Sequence, residues 1–211
     1  MKGNLRKILA FVFIFFLLWI ARQYLYLYVE LSFSDYLRTV SSIVIKIIFW
    51  ILLSFIYSKV VYKESLFRRL EFKNNKKGIL YALTFGLLLL SLNLAYNYIS
   101  KGTLFDFNIS LRGFVSAVVF APIIEEIVFR GLILNKLKLS IPFFWANLLT
   151  AVLFVLIHLP GWLIWGDGIS LENSLSILLV SFIWGYMYKK SNSFLSPVLG
   201  HALNNFISMI V

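Results

Sequence analysis

Six side chains in this sequence combine types that do acid–base chemistry with spacings that bring them together: Glu125, Glu126, Arg130, His158, His201 and Asn205. The two histidines are the only ones in the chain. Glu126 and Arg130 are four residues apart, the interval at which side chains meet on a helix and can form an ion pair. Glu125 is turned about 100° away and is left for another task. His201 and Asn205 share a face by the same interval, as do Phe154 and His158.

A carboxylate and two imidazoles in a shielded site suit the activation of water, because loss of solvent raises a carboxylate toward the range useful for a general base. Asn and His can donate hydrogen bonds to the oxyanion that develops on a peptide carbonyl. The same residue types also hold metals, as His and Glu do in zinc hydrolases. No HExxH helix is present, however, and no serine stands out as a nucleophile. The chain contains no cysteine, which excludes disulfides, thiolate metal sites and a cysteine nucleophile.

Each of these residues also has a plainer reading. A Glu–Arg pair can clamp two helices, a histidine can be a packing donor, and an Asn can bridge neighbouring helices. The joint occurrence decides against reading them separately. All six lie in strongly apolar segments, where a buried polar group of this kind costs at least ~3 kcal/mol.

Those segments must position the site. The chain has 211 residues, 61% hydrophobic and 14% charged, with a mean hydropathy of +0.88. Runs long enough to cross a bilayer, which takes about 20 residues, fall near 8–29, 40–58, 78–98, 113–135, 144–165, 172–188 and 194–211. This predicts an all-α, polytopic membrane protein of about seven helices. It forms one membrane domain, with N-terminal spans in 1–110 and the site-bearing core in 111–211. The first run has a basic start but no small-x-small cleavage site, so it reads as an uncleaved anchor. Pro160 and Gly161 are expected to kink or end the fifth helix.

The net charge of +11 follows the topology. With the N-terminus in the cytoplasm and the C-terminus outside, 14 of the 20 Lys and Arg residues fall in inner loops. The basic and aromatic run 59–77 (KVVYKESLFRRLEFKNNKK) is expected to lie among anionic lipid headgroups, not on nucleic acid. Lys46 is expected to snorkel toward the outer face, and Asn93 and Asn97 to make helix contacts.

The ordered set of motifs resembles the CAAX-processing and bacteriocin-processing family of intramembrane endopeptidases, which includes the type II CAAX prenyl endopeptidases. EEIVFR (125–130) matches its EExxxR, FVLIH (154–158) its FxxxH, and HALNN (201–205) its HxxxN; FIWG (182–185) fits a weaker FxxG. The likeness covers about residues 110–211. It implies a helical fold with a conical cavity inside the membrane, opening toward the cytoplasm. It further implies that Glu125 and His158 activate water, that His201 and Asn205 stabilise the oxyanion, and that Glu126 and Arg130 orient the site. Asn204 is then the spare amide.

By the resemblance the substrate is a membrane-associated peptide or a lipidated, prenylated protein tail. In a bacterium, the expected source, this points to bacteriocin or peptide-pheromone processing or to self-immunity. No cofactor is favoured and a glutamate-type site is preferred, because Asn205 is a poor zinc ligand; zinc is the alternative. Partners are the substrate and membrane lipids, and the oligomeric state is open. A catalytically silent scaffold that binds a partner protein is the competing function. A proton-coupled carrier lacks the inverted repeat it needs. One point of depth matters: a fifth helix starting at Pro142 puts His158 near its outer end, whereas a start near Ala146 brings His158 toward mid-membrane.

Overall fold

Apolar runs surrounded by lipid have no water to satisfy their backbone, so they wind into helices. The computed structural model describes residues 2–28, 33–107, 109–165 and 168–211, the side chains of Lys2, Asp35, Arg69 and Trp165 excepted. Among these, helices dominate and no strand forms; one isolated bridge joins Phe72 to Ser193.

In chain order, α1 is Lys2–Tyr28. Helix α2 covers 35–61, with α-helical Asp35–Lys46, π-helical Ile47–Leu52 and α-helical Leu53–Val61. After the 3-10 turn Leu66–Arg69 comes α3, Asn75–Lys101. Helix α4 covers 111–137 and alternates α-turns with π-turns at Phe114–Phe120 and Ile127–Leu134. Then follow α5 (Phe143–Leu156), α6 (Leu159–Trp165), α7 (Leu171–Ser191) and α8 (Leu195–Ile210).

Among the described residues, four stretches, 3–28, 36–61, 75–101 and 143–164, are long and apolar enough to cross a bilayer. This measure does not confirm the expected count of about seven. One reason is that α8, with 16 residues, is shorter than the ~20 that a straight span needs. The lipid-facing character is plain on α3, where Leu80, Leu83, Leu87, Leu88 and Leu92 are all more than half exposed. A surface of that kind is unstable in water and natural in a bilayer.

Two compact units make up the chain, one of Met1–Leu70 and Ile127–Gly185, the other of Glu71–Glu126 and Tyr186–Val211. In the first, Trp50 is buried against Phe15 (ring centroids 5.0 Å), Trp19 (5.0 Å) and Phe129 (6.0 Å). Phe129 in turn meets Phe154 at 4.9 Å. Edge-on aromatic contacts of this kind each add about 0.5–1.5 kcal/mol beyond their burial.

The same unit buries Lys136, just past the apolar part of α4, in an ion pair with Glu64 and 3.8 Å from the centre of the Tyr62 ring. Burial, with the Lys7 charge nearby, holds the Lys136 amine down at about 8. The unfolded lysine titrates near 10.5, so between these values the unfolded chain binds more protons than the folded one. Stability should therefore rise as pH increases from about 8 to about 10.5, by at most about 3 kcal/mol, and level off above that range. Denaturation of the detergent-solubilised protein across this range checks it; Lys136→Met should flatten the rise, and an equal rise in that variant would exclude Lys136 as its source.

In the second unit α3 packs along α8. Glycines permit the approach: a Cβ on Gly78 would lie 2.6 Å from Ser193 Oγ, and one on Gly86 2.7 Å from Leu203 Cδ1. The ends are stitched by polar bonds, Ser193 Oγ donating to Asn75 Oδ1 at 2.8 Å and the amide of Asp106 to the Ile210 carbonyl at 3.1 Å. Asn97 donates from Nδ2 to the Val211 carbonyl, which makes it the helix contact expected of it. The N-terminal half of α4 lies against the same α8, and Phe114 meets Phe206 edge-on at 6.1 Å.

Candidate active site

Pro122 lacks an amide hydrogen and its ring crowds the carbonyl four residues back, a conflict in a regular helix. It sits where α4 leaves the π-turns Phe114–Phe120 and resumes α-winding at Ala121–Glu126. The next π-turns begin at Ile127. Such turns commonly occur at functional sites, since their i→i+5 bonding re-aims side chains. Here they bracket the two adjacent glutamates.

Glu125 is 5% exposed, Glu126 is fully buried and His201 is 4% exposed. His201 Nδ1 lies 3.1 Å from Glu126 Oε1. With the Glu126 oxygen as acceptor, this nitrogen is the donor. The opposite ring nitrogen, Nε2, faces Glu125 with 3.9 Å to Oε2. That gap suits one bridging water, which makes hydrogen bonds of about 2.8 Å on each side. The arrangement is thus a histidine fixed from behind by one carboxylate and facing another.

Asn205, one turn along α8, donates from Nδ2 to the Ala117 carbonyl at 2.8 Å. Its Oδ1 accepts from Asn204 Nδ2 at 3.3 Å. The amide that the sequence left as a spare therefore helps to hold the orientation of its neighbour. An apolar groove of about 280 Å³, lined by Ala82, Leu83, Phe114, Leu199 and Phe206 among others, opens on the same unit. By helical periodicity its α8 residues lie on the face away from His201 and Asn205, so it is not the catalytic cleft.

In the other unit Arg130 is fully buried. Its Nη2 donates to the Ser181 carbonyl at 2.6 Å and to Ser181 Oγ at 2.8 Å. The guanidinium stands over the rings of Phe154 (5.3 Å) and Trp184 (5.6 Å). Ser181 and Trp184 were not singled out from the sequence; the polar Ser181 directly before the FIWG motif was the available signal. These contacts help to hold Arg130.

His158 occupies a break between helices. Helix α5 starts at Phe143, after Pro142 at the N-cap, and ends at Leu156; α6 begins at Leu159. The later start near Ala146 is thus not adopted. Pro160 is the second residue of α6 instead of the end of α5, which agrees with its fitness for a first turn, where no amide hydrogen is needed. His158 Nδ1 lies 2.6 Å from the Phe154 carbonyl, so Nδ1 carries the hydrogen and Nε2 is the basic nitrogen of the neutral ring. The Phe154 ring stacks obliquely on it at 5.1 Å.

The glycine of FIWG has a packing cause. A Cβ on Gly185 would lie 1.7 Å from Asn147 Oδ1 and 2.6 Å from its Cγ. Asn147, 1% exposed, donates from Nδ2 to the Phe182 carbonyl at 2.9 Å and so ties α5 to α7. Gly185→Ala should cost roughly 1–3 kcal/mol, the range for overpacking a close-packed contact. Thermal unfolding in detergent reads this, and Asn147→Ala in the same chain should recover part of the loss. A Gly185→Ala protein that melts like the parent would refute the contact.

No three His, Cys, Asp or Glu side chains among the described residues group as metal ligands. The nitrogen and oxygen atoms that do converge, on His201 and Glu125, are 3.9 Å apart.

Residues 106–207 match the model of a protein family described as Rce1-like, type II CAAX prenyl endopeptidases. A Bacillus subtilis (strain 168) protein named, provisionally, as the membrane peptidase YdiL is 28% identical over 97 residues. That stretch is 46% of this chain and 35% of the relative, so the chain spans about a third of the relative's length. No solved structure matches the chain.

Proposed function

We propose that this membrane protein, whose residues 106–207 match the model of the Rce1-like family of type II CAAX prenyl endopeptidases, is an endopeptidase that hydrolyses peptide bonds with glutamate-activated water. The observation that carries this reading is the buried constellation Glu126–His201–Glu125, with 3.1 Å and 3.9 Å between its partners. In the proposed reaction Glu125 removes a proton from water as the oxygen attacks the scissile carbonyl carbon. The carbon–nitrogen bond then breaks, and the proton passes from Glu125 to the leaving amine. The products are a carboxylate and an amine. No metal is needed for the balance.

Glu126 holds the His201 ring, and His201 and Asn205 donate to the oxyanion, which for His201 requires a proton on Nε2 during the step. By the resemblance, His158 shares the activation of water through its Nε2, and Arg130, its guanidinium over Phe154 and Trp184, orients the site. The substrate is a membrane-associated peptide or a lipidated protein tail, with peptide-pheromone or bacteriocin processing and self-immunity as the settings that suit a bacterial protein. The basic segment 59–77 is proposed to face the cytoplasm, with the N-terminus on that side.

Mass spectrometry of peptides released or retained by cells carrying the parent protein or Glu125→Ala, at matched abundance, tests the proposal. A cleavage product found only with the parent supports proteolysis and identifies the substrate. Identical profiles with an intact phenotype would favour the non-catalytic scaffold instead.

A further inference from the structure

Helix α2 carries a feature that the hydrolytic residues do not account for. Trp50 Nε1, Ser54 Oγ, Ser58 Oγ and Tyr62 Oη are all buried and have no hydrogen-bond partner among the described residues. Trp50, Ser54 and Ser58 are 1%, 0% and 1% exposed. The four recur at every fourth position, so they lie along one face of the helix and just past its end.

Serine and threonine in a helix ordinarily return their hydroxyl proton to the carbonyl four residues back. Thr84, Ser91, Ser100, Thr150 and Ser191 all do so in this molecule. Ser54 and Ser58 do not. A buried hydroxyl that forgoes both water and its own backbone loses its hydration with nothing in return. Such a loss at four successive rungs requires a ligand that can donate and accept at each.

The spacing identifies that ligand. At about 1.5 Å rise per residue, Ser54 and Ser58, both in the α-helical Leu53–Val61, stand roughly 6 Å apart along the axis. Two hydrogen bonds of about 2.8 Å in line cover nearly the same distance, so one water molecule fits between the two hydroxyls. Around Trp50 stand Phe15, Trp19 and Phe129 and the ammonium of Lys46, 4.9 Å from the ring centre, none of which offers a lone pair to its Nε1 hydrogen.

The two ends have different characters. At one, the centre of the Tyr62 ring is 3.8 Å from Lys136 Nζ and 5.8 Å from Lys7 Nζ, beside the Glu64–Lys136 pair. At the other, Trp50 packs edge-on against Trp19, whose Nε1 donates to the carbonyl of Ile157 at 3.1 Å, the residue before His158. We infer that this face of α2 binds a single file of water leading from the charged segment around Tyr62 and Glu64 toward His158. Its purpose, delivery of the water consumed in hydrolysis, rests on the proposed peptidase reading; its existence does not.

Radiolytic hydroxyl-radical footprinting in ¹⁸O-labelled water, on the full chain in lipid nanodiscs, tests the file directly. Trp50 should take up label in spite of its burial, while Tyr188, similarly buried and packed on Phe194, should not. In Ser54→Ala/Ser58→Ala, which removes the two central anchors, the Trp50 label should be lost while Tyr62 remains labelled. An unlabelled Trp50 in the parent protein would overturn the inference, as would equal Trp50 labelling in the double variant. A double variant that melts higher than the parent would also overturn it, since deleting dry, unpaired hydroxyls is stabilising. If Trp50 is labelled as expected and no peptide cleavage is found, the file stands and the peptidase reading falls.

Discussion

Glu125→Gln is expected to reduce peptide release by about 10²- to 10⁴-fold, the range lost with a positioned general base, while leaving the protein's abundance and melting unchanged. The amide has nearly the shape of the carboxylate but cannot take a proton from water. Glu125 is 5% exposed, so its charge acts in a site shielded from bulk solvent, where a fixed base is effective. Glu126→Gln separates positioning from chemistry. Its Oε1 receives the His201 Nδ1 hydrogen at 3.1 Å, and an amide can still accept that bond through its oxygen. The loss should therefore be smaller than for Glu125→Gln. Equal losses for the two variants would reverse or merge their assigned roles, and parent-level cleavage by Glu125→Gln would remove Glu125 as the base.

Arg130→Lys should have the largest effect on the fold. The arginine is fully buried and uses one Nη2 for both Ser181 oxygens while its plane lies against Phe154 and Trp184. Lysine keeps the charge but lacks the planar fork and the stacking surface. A buried charge deprived of its partners costs roughly 3–5 kcal/mol, enough to deplete a marginally stable protein. Thermal unfolding in detergent and membrane abundance both read this. Ser181→Ala is the control, as it removes one hydroxyl bond and keeps the carbonyl, for a loss of about 1 kcal/mol. Parent-like melting of Arg130→Lys would mean that the fork and the stacking contribute little.

Spacing along one helix says nothing of partners brought in from elsewhere in the chain: Glu126 meets His201, 75 residues on, and Arg130 meets Ser181, 51 residues on. Pro160 shows a similar limit. It announced an interruption of the fifth helix, but the interruption comes before it, at Ile157 and His158, because a proline fits the first turn of the next helix better than it ends the last one.

By itself the sequence determined the helical membrane class and the six residues that could do chemistry, because both rest on local facts. A run of some 20 apolar residues must satisfy its own backbone, and a carboxylate, imidazole or guanidinium within such a run is costly enough to mark function. Only the tertiary structure decided which carboxylate fixes His201, which carbonyl sets the hydrogen on His158 Nδ1, and why Gly185 must lack a side chain beside Asn147. Those outcomes depend on how helix surfaces far apart in the chain pack to within hydrogen-bond distance, and no local spacing encodes that contact.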